Sequence, residues 1–101
     1  MAQFICHRDG RYNVYGTICD AFYFDRSLSL SELTNWIRHQ YGERGVADLP
    51  ERLERAHLRG HSAHSNETLE ELLSCNRAGE GEQRLPFRVI LERFLGQRNN
   101  P

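Results

Sequence analysis

The chain has 101 residues, of which 39% are apolar and 27% charged, with a formal net charge of −1. This balance excludes a disordered chain and argues against a general nucleic-acid binder, and no run approaches the ~20 apolar residues of a membrane span. The length sets one small domain, read as residues 1–96 with a frayed C-terminal tail over 97–101.

Residues 3–24 read as an antiparallel β-hairpin or a three-stranded sheet. Two β-favouring runs, Phe4 to Cys6 and Tyr12 to Cys19, flank Asp9-Gly10. Asp-Gly is a strong hairpin signal because a type I′ turn needs positive φ at both central positions. A two-residue turn would pair Ile5 with Val14 and Phe4 with Tyr15. It would also set Arg8 against Arg11, and that repulsion argues for a longer turn. Gly16 points to a bulge or to close approach by another backbone. Ala21 to Phe24 reads as a third short strand, entered by a tight turn near Asp20.

About four short helices follow, over 30–43, 49–59, 66–75 and 86–95, so the fold class is α+β. Ser29 and Glu32 form a capping box, with Leu28 and Leu33 as its hydrophobic staple. Leu30, Leu33, Ile37 and Tyr41 continue at helical spacing beside Trp36, and Gly45 is placed to stop the helix. Pro50 suits the first turn of the second helix, and Gly60 its end. Ser65 or Asn66 caps the third, whose inner side is Leu69, Leu72 and Leu73. Asn76 to Gln83 is a polar loop. Phe87, Ile90, Leu91, Phe94 and Leu95 then form a full apolar stripe.

Cys6, Cys19 and Cys75 make an odd set at unrelated spacings, and no secretory leader is seen. Reduced thiols and a cytoplasmic protein are expected. Asp20 beside Cys19 and the helix end at Cys75 both disfavour a thiolate, so all three cysteines read as core or half-buried residues. His57, His61 and His64 are spaced i, i+4, i+7. On one continuous helix they would share a face and hold zinc with an open fourth position. Gly60 interrupts that helix, and the segment reads more simply as a histidine-rich loop. No CxxC pair, HExxH helix or glycine-rich phosphate loop is present.

All thirteen basic residues are Arg, a bias that codon usage accounts for more simply than function. Arg52, Arg55 and Arg59 form a short helical stripe, interrupted by Glu51 and Glu54. Residues 65–82 carry five Glu against Arg77, a net −4, and residues 83–101 carry four Arg against Glu92, a net +3. These opposite charges are expected to pair within the chain. Glu70 and Glu71 are adjacent, with Glu67 near them, and read as a solvated acidic face rather than an acid–base pair.

A sheet of two or three strands with helices on one side would show aromatics on the other. Tyr12, Tyr15 and Tyr23 of this aromatic-rich sheet, with Glu67, Glu70 and Glu71, are therefore the expected contacts to a protein partner or a second copy. The function expected is a non-enzymatic binding or regulatory module, of inhibitor or adaptor type. The alternative is a metal-binding protein using His57, His61 and His64. A second alternative is nucleic-acid binding through Arg52, Arg55, Arg59 and the C-terminal arginines.

Overall fold

Asp9 and Gly10 take φ of 50° and 78°, so the hairpin closes in two residues. The longer turn expected from the opposed arginines does not form. Arg8 and Arg11 do face one another in the register. Their charges are drawn apart: Arg11 donates to the Ser27 hydroxyl and carbonyl, both at 3.0 Å, and Arg8 leans toward Asp9 at 3.9 Å.

The computed structural model describes residues 3–97. Beyond Gln97, the expected frayed tail lies outside them. Strands β1 (Gln3–Arg8), β2 (Arg11–Gly16) and β3 (Ala21–Phe22) form an antiparallel sheet in the order β1-β2-β3. Three α-helices follow rather than about four: α1 (Leu30–Arg59), α2 (Leu69–Leu72) and α3 (Phe87–Phe94). A single 3-10 turn, Glu80–Glu82, lies in the predicted polar loop. Among the described residues no helix is long and apolar enough to cross a membrane.

The two predicted helices over 30–43 and 49–59 are limbs of α1. The break falls at Gly42 (φ 69°, ψ −161°), not at Gly45. Gly45 is instead a packing position, where a Cβ would lie 2.7 Å from the Tyr41 Cβ and 3.0 Å from the Ile37 Cγ2. Pro50 therefore sits inside the helix, and Gly60 ends it in the left-handed region at φ 83°. The Ser29 capping box is present: Ser29 Oγ accepts from the Glu32 amide at 3.1 Å, and Glu32 Oε1 accepts from the Ser29 amide at 2.9 Å.

α2 is shorter than expected and is capped by neither Ser65 nor Asn66. Thr68 and Glu71 make a second capping box, at 3.1 and 2.9 Å. Buried Asn76 then shapes the next loop, donating to Leu73 O and Leu85 O and accepting from the Ala78 and Leu85 amides.

Side chains alternate across a strand, so each strand feeds two faces. Ile5, Tyr12 and Val14 pack against Leu33, Ile37, Leu49 and Ala56 of α1. Phe4, Cys6 and Tyr15 pack on the other side against Leu69, Leu73, Ile90 and Phe94. Helices thus cover both faces, not one. The outer edge of β1 and the stretch of β2 beyond short β3 are also occupied. On β1, the His7 amide donates to Gly60 O at 3.0 Å and Ser62 donates to Ile5 O at 2.9 Å. On β2, Tyr12 and Leu28 exchange both backbone bonds, at 2.9 and 2.7 Å. A Cβ on Gly16 would come within 3.0 Å of Tyr23 Cε1, so the close approach there is a side chain, not a backbone.

Candidate functional site

With both faces covered, Tyr12 and Tyr15 become core residues, 2% and 1% exposed. The aromatic sheet face expected as an interface does not reach the surface through them. Tyr15 donates to Asp20 Oδ1 at 3.3 Å, and burial and Asp20 push its hydroxyl well above the usual tyrosine range. Tyr12 is hydrogen-bonded to His57 Nε2 at 2.6 Å, and burial raises its pKa too.

Tyr23, 50% exposed, is the tyrosine of that set that faces solvent. It does not stand alone. Its ring meets Trp36 edge to face at 5.4 Å, and Trp36 meets Tyr41 at 6.0 Å in the same manner. Tyr41 is 48% exposed. Ile18, 82% exposed, lines the same shallow depression of about 320 Å³ as Tyr23. An apolar strip therefore runs from the β2–β3 turn across Tyr23 onto the first limb of α1. Phe24 supports it from below, edge to face with Trp36 at 5.3 Å. Trp36 and Tyr41 are interface candidates that helical periodicity hid, because Tyr41 falls on the stripe that reads as core. The usable signal was Trp36, which lies beside that stripe rather than on it.

Glu67, Glu70 and Glu71 are all exposed around α2. Glu71 is tied to its cap, and the amide of Thr68 holds its carboxylate below the usual range. Among the described residues the ion pairs join Arg8–Asp9, Arg26–Glu32, Arg38–Glu43 and Arg88–Glu92. None connects the acidic 65–82 segment to the arginines after it, so the expected internal pairing is not made there.

The three histidines of the spaced set take three environments. His57 is exposed beside Tyr12, with the His7 ring 4.2 Å away. His61 is fully buried against Phe4; its Nε2 donates to Glu67 O at 2.7 Å and its Nδ1 has no partner. His64 is exposed. Among the described residues no group of three His, Cys, Asp or Glu is placed to hold a metal ion. Gly60 is the physical reason, since it ends α1 between His57 and His61 and turns the chain back along β1.

The members of the arginine stripe differ in their surroundings. Arg52 is buried, Arg55 Nε donates to Ser62 O at 2.9 Å, and Arg59 donates to Ser65 O at 2.8 Å. Cys6 is buried, and burial pushes its thiol far above the usual range; Cys19 and Cys75 are exposed rather than half-buried. Comparison with protein-family models, with curated proteins and with solved structures returns no match.

Proposed function

We propose that the protein is a non-enzymatic binding module that works through a protein–protein interface centred on Tyr23, Trp36 and Tyr41. The observation that carries this reading is the exposed aromatic strip on a molecule whose sheet faces are otherwise covered. Tyr and Trp supply large contact areas at low entropic cost, and they dominate interface energetics. The acidic surface at Glu67 and Glu70, which makes no ion pair among the described residues, fits a steering role toward a basic partner. Three free cysteines, two of them exposed, fit a reducing compartment such as the cytoplasm.

The test compares wild type with two double variants, Tyr23→Ser with Tyr41→Ser and Glu67→Lys with Glu70→Lys. Each is immobilised, exposed to native lysate at two salt concentrations and followed by mass spectrometry. Sedimentation of each chain alone reads self-association. A partner, or a dimer, whose affinity falls at least about tenfold in the aromatic variant is the expected result. The acidic variant should mainly slow association and flatten its salt dependence. A partner kept undiminished by the aromatic variant, or a monomer that captures nothing, overturns the reading.

A further inference from the structure

Arg52 is 7% exposed, yet it makes no hydrogen bond or ion pair among the described residues. An arginine held this deep ordinarily meets a carboxylate of its own chain. Asp48, one turn earlier on α1, stays beyond ion-pair distance. Among the described residues the sealed side-chain polar atom without a partner is His61 Nδ1, so the Arg52 nitrogens open onto space rather than onto the core.

That space is a pair of adjoining open depressions that share a wall. One, of about 380 Å³, is lined by Arg52, Arg55 and His64 with Phe4 and Leu72. The other, of about 300 Å³, is lined by Arg52, Arg44 and Tyr41. Gln3, Asp48 and Arg52 belong to both walls. Arg55 spends its Nε on Ser62 O, and neither Arg44 nor the terminal nitrogens of Arg55 have a carboxylate within reach among the described residues. Three guanidinium groups thus meet one exposed carboxylate around depressions of ligand size. Burial draws the Arg52 guanidinium below the ordinary arginine range, with Asp48 acting in the opposite sense.

We propose that this pair of depressions is a binding site for a small multivalent oxyanion, a phosphate ester or a polycarboxylate, gripped by Arg52 between Arg44 and Arg55. Planar guanidinium forks match phosphate and carboxylate oxygens in pairs, and an oxyanion supplies the acceptors that the protein withholds from Arg52. Phe4 and Leu72 on one side and Tyr41 on the other offer apolar walls for the body of the ligand. The site is separate from the aromatic surface except at Tyr41, so it stands or falls on its own.

Titration calorimetry at constant ionic strength tests it, with pyrophosphate and citrate as probes against chloride. The expected result is saturable one-to-one binding of at least one probe, with a raised thermal midpoint. The tighter probe identifies the chemistry of the head group. Arg52→Gln should weaken binding at least about tenfold and Arg44→Gln about threefold or more, whereas Arg84→Gln, at an exposed position outside both depressions, should leave it unchanged. Arg44 is exposed and makes no ion pair among the described residues, so its variant keeps the test open should Arg52→Gln fail to fold. Absence of saturable heat from both probes, or binding indifferent to Arg44→Gln in the folded variant, overturns the proposal.

Discussion

His7 joins the hairpin turn to the end of α1. Its Nε2 accepts from the Gly10 amide at 3.0 Å, and its ring lies against His57. Protonation would convert that acceptor into a donor and place a cation against the His57 ring. Burial first, then His57, hold the His7 pKa below its ordinary 6.5, with Asp9 pulling the other way. The unfolded chain therefore binds more protons than the folded one between the depressed value and 6.5, and stability rises with pH through that window. Its contribution is complete above the window and is lost as pH falls through it. His7→Gln keeps an acceptor for Gly10 and removes the titration. Urea midpoints from about pH 7.5 to about pH 5 should fall less steeply for the variant than for wild type. Parallel curves would show that His7 does not carry this dependence.

Positions in helices and turns differ in how far they could be read from the chain. Ser29 and Glu32 were legible because a capping box is a local pattern, and Asp9-Gly10 because few other pairs tolerate two successive positive φ values. Thr68 and Glu71 form the same pattern, but polar Ser65 and Asn66 lie just upstream and compete for the cap. Gly42 and Gly45 could not be ranked without tertiary structure. Either can break a helix, and only the crowding of Tyr41 and Ile37 shows that Gly45 is needed for packing. Gly42 occupies a backbone region that is essentially glycine-only, although a Cβ there would meet nothing within 4 Å. Gly42→Ala should therefore act through backbone strain alone, costing about 1–3 kcal/mol in urea unfolding. A loss below about 0.5 kcal/mol would mean that the two limbs of α1 do not require this angle.

The sheet lies between α1 on one side and α2 with α3 on the other, and this layering decides which aromatics can function. Strand alternation told which residues share a face, but it could not tell that α3, some seventy residues after β2, returns to cover the second face. That return is secured by polar groups as well as by Ile90 and Phe94. Asn13, fully buried on β2, donates to Phe94 O at 2.9 Å and to Phe24 O at 3.0 Å, and accepts from the Val14 amide at 2.8 Å. Ser27, itself held by Arg11, donates to Gly96 O at 2.6 Å. The carbonyls at the end of a helix lack intrahelical donors, and here side chains of β2 and the following loop supply them. Asn13→Ala would leave Phe94 O and Phe24 O without this donor, at about 1 kcal/mol net for each lost bond plus the desolvation penalty of whichever carbonyl water does not reach. A total of about 2–4 kcal/mol is expected in urea unfolding. Because the lost bond to Phe94 O joins α3 to the sheet, amide exchange in Phe87–Phe94 should accelerate more than exchange between β1 and β2. Uniform acceleration of both would mean that α3 is held by its apolar stripe alone, and that Asn13 stabilises the sheet rather than the docking of the helix.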